Sequence, residues 1–373
     1  MRVLVTDATY KHALAAVRAL GTQGFEVIAG SSRRVAQSFY SRYCMGKVVY
    51  PDPRDEARFI PAMLDCVRRR QIDVLLPIGY QANVVLSRHK DEFSGFVRLP
   101  VADWQTMQIA CDKGKTIAWA QHIGIPTPAV YDVPQAVDCF PVVVKRVMES
   151  GGVRYVNSPE ELAGLDLTEA VLEEYIPGEG YGFFALFDTG KCRALFMHRR
   201  LREYPPTGGA STAAVSIDDP TLRELGIRLL ESLSWHGVAM VEFRKDGRDG
   251  QYKLMEINPK FWGSLDLAIA SGVNFPCLAA RMAAGFPVEE VFSYRVGQRF
   301  RWFWPDDLLH LLARPASLGA VLGDMFRRDT RGNFSWRDPA PNLFQALASA
   351  PIILSRAING NLRRPHGAPD LRP

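Results

Sequence analysis

The order of apolar and polar residues along residues 1–100 predicts strands that alternate with helices. Short apolar runs occur in RVLVT, FEVIAGS, GKVVYPDP and IDVLLPIG, and a weaker fifth run is FVRLPV. Apolar residues at helical spacing fill residues 10–22 and 54–70. Alternation of this kind is typical of a parallel sheet with right-handed crossovers. We therefore expect residues 1–102 to form an α/β domain.

The pattern changes in the middle of the chain. Residues 101–130 predict helix and end in GIPTP, whose two prolines stop a helix and stiffen the connection. From residue 139 onward, one predicted helix at residues 220–234 interrupts a series of short β-runs, and residues 265–288 predict another helix. The β-runs are CFPVVVKRV, AVLEEYI, YGFFALFD, CRALFMHRRL, GVAMVEFRKD and QYKLMEIN. This order favours an α+β unit with a largely antiparallel sheet.

Residues 291–358 predict a mostly helical C-terminal extension. Its segment RFRWFWPDDLLHLLARP mixes aromatic residues with cations, as helices at a membrane interface do. A helical appendage that packs on the preceding domain is the favoured interpretation, and contact with a membrane surface is the alternative. The tail, residues 359–373, is rich in Pro, Gly and Arg and is expected to be disordered.

Composition and charge narrow the class of protein. The 373 residues are 47% hydrophobic and 23% charged, with a formal net charge of +5. Lys and Arg are scattered rather than interleaved with aromatics, so nucleic acid is not an expected partner. Six cysteines without a CxxC pair favour reduced thiols in a cytoplasmic protein. The N-terminus predicts strand then helix rather than a signal peptide, and no apolar run has the ~20 residues of a membrane helix.

The segment KLMEINPKFWGS carries the first candidate chemistry. Glu256 and Asn258 are two residues apart in a predicted strand, so both point to one face. The turn-rich DGRDG connects this strand to VAMVEFRKD, and folding the hairpin about residues 248–250 places Glu242 opposite Glu256. Two facing carboxylates repel, and Mg²⁺ would offset that repulsion with Asn258 as a neutral oxygen ligand. The alternative is an exposed hairpin with ordinary surface acids.

Residues that suit phosphate binding lie earlier in the chain. Lys145 ends an apolar strand, and the turn Ser150-Gly151-Gly152 that follows can close backbone N–H groups over phosphate oxygens. Lys113 stands near a helix start in CDKGKT, and VLEEYIPGEGYG offers strand-end backbone for adenine and an acid for ribose. Each piece taken alone also suits an ordinary turn, a solvated lysine or an exposed strand end.

Taken in order, DK, FPVVVK…SGG, LEEYIPG and VEF…LMEINPK resemble the ATP-grasp superfamily. The resemblance covers residues 1–290 and looks closest to the carboxylate–amine ligase branch, near the carbamoyl-phosphate-synthase-like and predicted carboligase groups. It implies a Rossmann-like pre-ATP-grasp domain at residues 1–102 and an ATP-grasp domain at residues 103–290. The latter would comprise a flexible lid subdomain, residues 127–176, and a catalytic subdomain, residues 177–290.

The resemblance also implies roles for individual residues. ATP phosphates are expected to contact Lys113 and Lys145. A mobile loop over the γ-phosphate is expected at Ser150, Gly151 and Gly152. The adenine hinge is expected at Glu173, Glu174, Tyr175 and Ile176, with main-chain atoms of Glu174 and Ile176 on the base and Glu179 as the ribose candidate. One or two Mg²⁺ ions, replaceable by Mn²⁺, would be held by Glu242, Glu256 and Asn258.

Three cations are the candidates for catalysis. Lys260 stands where many relatives have arginine in NPR, a residue that steadies the phosphoryl group, and lysine keeps the charge without the bidentate fork. Arg200 and Arg202 lie in a region that faces phosphate and substrate in the family. Strand alternation predicts that these two share one face and that Arg199 lies on the other. A basic β-edge against solvent is the alternative.

The activity implied by the resemblance is ATP-dependent ligation. ATP would phosphorylate a small-molecule carboxylate to an acyl phosphate, and an amine would then form an amide. Alternatives are a different acceptor, such as carbonate, a thiol or a phosphorylated small molecule, and a non-catalytic ATP-binding protein. A homodimer is an expectation from the family only.

Overall fold

The N-terminal residues form the parallel sheet that the apolar pattern predicts. The computed structural model describes residues 1–147 and 153–358 together with Pro369. The elements of the first domain are β1 (Arg2–Val5), α1 (Lys11–Thr22), β2 (Glu26–Ser31), β3 (Cys44–Val49), α2 (Glu56–Arg70), β4 (Val74–Leu76), α3 (Tyr80–Arg88) and α4 (Lys90–Phe93). Its four parallel strands follow the order β3-β2-β1-β4, and buried apolar residues cover both faces.

The predicted fifth strand, FVRLPV, is wrong. Within it only Arg98 makes a single parallel bridge, to Val74. Pro100 lies in this run and has no backbone N–H to donate to a strand ladder, so the pairing ends there.

A small antiparallel sheet follows two helices. The elements are α5 (Trp104–Cys111), α6 (Lys113–His122), β5 (Val142–Arg146), β6 (Val153–Val156), α7 (Pro159–Ala163) and β7 (Ala170–Glu174). The strands pair in the order β6-β5-β7 and have their own apolar cluster around Val142, Val156 and Leu172. The predicted mobile loop Ser150-Gly151-Gly152 lies outside the described residues, as does the predicted disordered tail apart from Pro369.

A larger sheet carries the rest of the chain. Its elements are β8 (Gly178–Asp188), β9 (Lys191–Tyr204), β10 (Ala210–Ile217), α8 (Pro220–Ser232), β11 (Gly237–Asp246), β12 (Tyr252–Asn258), α9 (Leu265–Ser271), α10 (Phe275–Ala283), β13 (Arg299–Arg301), α11 (Leu308–Ala313), α12 (Leu318–Phe326), β14 (Thr330–Gly332) and α13 (Ala340–Ile358). In the described residues the seven strands run β12-β11-β8-β9-β10-β13-β14, antiparallel except for the last pair. The single helix predicted at residues 265–288 is two, because Gly272 leaves the helical region at φ 111° and Asn274 caps a new start.

The two faces of the large sheet bury different partners. One face packs on α8, with Phe183 and Phe187 against Leu229. The other face packs on the N-terminal domain, where Phe184 and Phe196 share one apolar cluster with residues of α1. The first domain and the large sheet therefore share one apolar core. This core fixes the position of the first domain against that face of the sheet.

The C-terminal extension is helical as predicted, and it also adds strands β13 and β14 to the large sheet. Asp338 ties this extension back to the N-terminal domain, because its carboxylate accepts from Arg18 Nε at 2.9 Å and from Ser41 Oγ at 2.7 Å. Among the residues that the structure describes, no helix has the length and apolar character needed to cross a membrane.

Gly226 sets the fit between α8 and the sheet. A Cβ atom added at Gly226 would lie 2.3 Å from Cγ of Phe183, whose ring is fully buried. We expect Gly226→Ala to lower the free energy of unfolding by about 1–3 kcal/mol, because overpacking outweighs the better helix propensity of Ala. The matched control is Gly323→Ala in α12, where an added Cβ meets no atom within 4 Å. Urea unfolding that gave both variants the same stability would contradict this packing.

Candidate active site

Two carboxylates face each other across the β11–β12 hairpin. The strand register pairs Glu242 with Glu256 and Met240 with Asn258, which confirms the predicted hairpin. The side chains of Glu242 and Glu256 are only 20% and 25% exposed, so the alternative of a solvated surface hairpin is wrong. Asn258 Nδ2 donates to Glu256 Oε1 at 2.6 Å. The predicted oxygen-rich face therefore exists in a half-buried setting.

The pKa of Glu242 indicates that this pair of carboxylates favours a nearby positive charge. Burial raises the pKa of Glu242; the nearby Arg200 guanidinium lowers it, and the facing charge of Glu256 raises it again. The raised pKa means that the ionised form is disfavoured unless a cation lies close by.

Three side chains from separate elements supply positive charge around the carboxylates. Arg200 on β9 places Nη2 2.6 Å from Glu242 Oε2. Lys113, at the start of α6, places Nζ 3.8 Å from Glu256 Oε2. Burial lowers the pKa of Lys260, while the charges of Glu256 and Glu242 oppose that shift. The structure thus brings together Lys113, Arg200 and Lys260 around the two carboxylates, as three of the predicted site residues.

Glu203 is a neighbour of this cluster that sequence reasoning missed. Its Oε2 lies 3.3 Å from Arg200 Nη1, and the same nitrogen donates to the Gly209 carbonyl oxygen at 3.1 Å. Arg200 is therefore held in place from two sides while it contacts Glu242. The signal in the sequence was the acid three residues after Arg200, which regular strand alternation would have placed on the opposite face.

The expectation that Arg200 and Arg202 share a face is wrong. The pairs Ala214–Arg200 and Ala213–Arg202 are separated by a register shift, because Leu201 is an extra residue in β9. Arg202 instead directs Nε and Nη2 to Asp307 and Nη1 to Asp324. Arg199 pairs with Glu179 at 2.8 Å.

Lys145, a predicted phosphate ligand, lies on the small sheet. Lys145 on β5 forms a buried ion pair with Glu173 on β7. Just beyond β5, the Val147 carbonyl oxygen accepts from the backbone N–H of Lys113 at 3.2 Å. Val147 therefore lies beside the start of α6.

The start of α1 forms the opposite wall, which sequence reasoning also missed. Lys11 forms an ion pair with Asp306, and its Cε lies 3.3 Å from the position that a Cβ on Gly263 would occupy. Among the described residues, Nδ1 of His12 is a buried atom without a hydrogen-bond partner, and desolvation together with Lys260 and Lys11 lowers the pKa of this side chain. The available signal was a Lys-His pair after the first strand of a parallel sheet, where ligands often bind.

Comparisons with known proteins identify the fold. A family model described as "ATP-grasp in the biosynthetic pathway with Ter operon" matches residues 166–304. An L-amino acid ligase from Bacillus licheniformis superposes with a TM-score of 0.63 at 19% identity, over 77% of this chain and 75% of that one. The chain has the ATP-grasp fold. Other solved structures with this fold that resemble the chain include biotin carboxylases.

Curated relatives agree with the carboxylate–amine ligase branch of the ATP-grasp superfamily, which the chain resembles. A 3-methyl-D-ornithine–L-lysine ligase from Methanosarcina acetivorans is 31% identical over 60% of this chain and 59% of its own length. The N-terminal section of a carbamoyl phosphate synthase large chain from Methanopyrus kandleri is 23% identical over 78% of this chain and 56% of its own length. The chain thus spans little more than half the length of these two relatives.

The predicted adenine hinge has several main-chain and side-chain groups that already make contacts within the protein. The Ile176 carbonyl oxygen accepts from Arg244 Nη1 at 2.8 Å, and the Glu174 N–H donates to Ala129 O at 2.8 Å. Tyr175 packs edge-on against Tyr155 with ring centroids 5.8 Å apart. The Glu179 carboxylate, the ribose candidate, is 56% exposed and bound to Arg199. A nucleotide here would therefore compete with Arg199 for Glu179.

The oxygen atoms that the β11–β12 hairpin offers fit a magnesium ion. Two half-buried carboxylates and a carboxamide offer hard oxygens, and the raised pKa of Glu242 reflects a need for compensating charge. The described residues contain no group of three or more His, Cys, Asp or Glu side chains arranged for a metal. An ion at Glu242, Glu256 and Asn258 would therefore need phosphate or water oxygens to complete its coordination.

Proposed function

We propose that the protein is an ATP-dependent, ADP-forming ligase that joins a small-molecule carboxylate to an amine. The observation that carries the proposal is the Glu242–Glu256 pair with Asn258, half-buried and surrounded by Lys113, Arg200 and Lys260. Phosphoryl transfer depends mainly on positioning and charge neutralisation, and this arrangement provides both without a nucleophilic side chain.

The bond changes are those of acyl-phosphate chemistry. A carboxylate oxygen attacks the γ-phosphorus of ATP, and the bond from that phosphorus to the bridging oxygen breaks to release ADP. An amine nitrogen then attacks the acyl carbon, loses a proton and displaces inorganic phosphate. Glu242, Glu256 and Asn258 would hold a magnesium ion there, which would supply positive charge to the phosphates.

The residues of this chain have separate tasks in the proposal. Glu242, Glu256 and Asn258 would hold the metal, and Arg200 would orient Glu242 through their 2.6 Å contact. Lys113 and Lys145 would contact the ATP phosphates. Lys260 would steady the transferred phosphoryl group.

The acid substrate would bind between the start of α1 and the segment after β12. Lys11 lies near Gly263 on this wall, and Lys260 stands two residues after Asn258. The positive charges of these two lysines would bind the carboxylate of the substrate next to the γ-phosphate. The roles of residues 150–152, the domain bounds, a cytoplasmic location and a homodimer stay predictions.

The second candidate function is an ATP-grasp enzyme with another acceptor. It is favoured by the biotin carboxylases among similar solved structures, since the phosphate-binding half of the site would be the same. A non-catalytic ATP-binding protein is the third candidate, against which stand the clustered carboxylates and cations.

A hydroxylamine trap tests the proposal. Purified protein, Mg²⁺ and ATP are mixed with a panel of amino acids and other carboxylates, with hydroxylamine as a generic nucleophile. We expect a hydroxamate from a restricted set of acids, with ADP and phosphate formed in equal amounts. AMP in place of ADP would contradict acyl-phosphate chemistry.

The same assay separates the three candidates. Bicarbonate-dependent ADP release without hydroxamate would favour the carboxylase. ATP binding by calorimetry without turnover on any acid would favour the non-catalytic protein. Loss of ATP binding altogether would overturn all three.

A further inference from the structure

A second cavity lies away from the candidate active site, between the large sheet and helices α11 and α12. Its volume is about 560 Å³, within the range of small-molecule sites. Arg202 and Arg299 contribute from the sheet, and His310, Arg314, Asp324 and Arg327 contribute from the C-terminal extension. Four guanidinium groups and one carboxylate thus line one space.

This cavity and the Glu242 site lie on opposite faces of the sheet. Arg202 and Arg301 both pair with Ala213, whereas Arg200 pairs with Ala214. The two arginines accordingly have different partners: Arg202 binds Asp307 and Asp324, and Arg200 binds Glu242 and Glu203. The cavity is therefore separate from the ATP-grasp residues.

The charges around the cavity do not balance. Asp324 faces two guanidiniums, with Oδ2 2.7 Å from Arg202 Nη1 and Oδ1 3.0 Å from Arg299 Nη1. Arg202 also contacts the fully buried Asp307. Arg314 has no ion-pair partner within the described part of the chain, so the lining carries a surplus of positive charge.

His310 adds a polar atom in a fixed orientation. The residue is 4% exposed, and its Nδ1 lies 2.7 Å from the Glu203 carbonyl oxygen. A carbonyl oxygen only accepts, so Nδ1 carries the hydrogen; in the neutral ring Nε2 is then an acceptor, which suits a hydroxyl group of a ligand rather than its oxyanion.

We propose that this cavity binds a small organic anion through a phosphate or carboxylate group. Guanidiniums bind such oxyanions through paired, charge-assisted hydrogen bonds, and Arg314 and Arg299 are the members with donors to spare. Leu201 and Ala320 also line the cavity and suit the carbon skeleton of an organic molecule rather than a bare ion.

Calorimetry on the full-length protein tests the site. Mg²⁺ and a non-hydrolysable ATP analogue are kept saturating, so that the candidate active site is filled. The probes are glycerol 3-phosphate, citrate and inorganic phosphate, with glycerol as the uncharged control. We expect at least one organic anion to bind at one site per chain and glycerol not to bind. The probe that binds most tightly shows whether the cavity prefers a phosphate or a carboxylate group.

Variants localise the binding. Arg314→Ala and Arg299→Ala should each weaken it by about tenfold to a hundredfold, as expected for a lost charge-assisted contact. Ala320→Phe should abolish binding by filling the cavity, and Ala320 is exposed, so the fold should tolerate the change. Arg328→Ala removes an exposed arginine next to the lining residue Arg327 and should leave binding unchanged.

Two results would overturn the proposal. One is the absence of binding by every anionic probe to the wild-type protein. The other is an equal loss in Arg328→Ala and Arg314→Ala, which would indicate non-specific attraction to a basic surface. Circular dichroism of each variant verifies that a loss of binding is not a loss of fold.

Discussion

Glu256→Gln should lower ATP turnover by about a hundredfold or more while the protein remains folded. The substitution keeps the size of the side chain and can keep the hydrogen bond with Asn258, but it removes the charge that faces Glu242. A metal ion held by Glu242 and Glu256 would lose one of the two negative charges that the protein offers it. The measurement is ADP release with an acid that gives a hydroxamate, across a Mg²⁺ titration, with circular dichroism to verify the fold.

The matched control is Glu224→Gln, the same chemical change at a 73% exposed position on α8. Its turnover should equal that of the wild-type protein. If Glu256→Gln retained full activity at saturating Mg²⁺, the metal assignment would fail. The hydroxamate result would still stand by itself, so the two conclusions are separable.

Asp307→Ala should lower the free energy of unfolding by about 3–5 kcal/mol, the range for breaking one side of a buried ion pair. Asp307 is fully buried, accepts from Arg202 Nε and Nη2 at 2.8 and 2.9 Å, and accepts from Thr212 Oγ1 at 2.9 Å. Without it, a 7% exposed guanidinium would keep only Asp324 as an ionic partner. Urea unfolding monitored by tryptophan fluorescence measures the loss.

Asp329→Ala provides the comparison for this network. Asp329 also binds an arginine through two contacts, with Arg327 Nε and Nη2 both at 3.0 Å, but the pair lies at the surface. Exposed pairs contribute little, so its removal should leave the unfolding midpoint unchanged. Equal destabilisation by the two variants would show that burial is not what makes the Arg202 network matter.

The hairpin was predictable because two local rules agree there. Strand alternation places Glu256 and Asn258 on one face, and the hairpin about DGRDG brings Glu242 opposite Glu256, with Met255 as an extra residue of β12 before that pair. The parallel sheet was predictable for a similar reason, since its apolar runs and helical spacing alternate regularly. Where the local pattern and the tertiary structure agree, a single sequence is enough to predict the element.

Irregular features were beyond those rules. The extra residue Leu201 in β9 turns Arg202 away from Arg200, and no periodic pattern signals it. Strand β10 has the sequence ASTAAVSI, whose small residues give a weak β signal although most of them are buried. The contribution of Lys11 depends on contacts with Asp306, 295 residues away, which only the folded chain brings together.

The pairing of β10 with β13 has a further consequence for how the protein behaves as a shorter fragment. β13 covers the hydrogen-bonding edge of β10, and β14 in turn covers β13. A chain ending before Arg299 would leave ASTAAVSI as an open edge without a charged residue or a proline to block it. Such an edge invites pairing with another copy, so the C-terminal extension also protects the sheet from self-association.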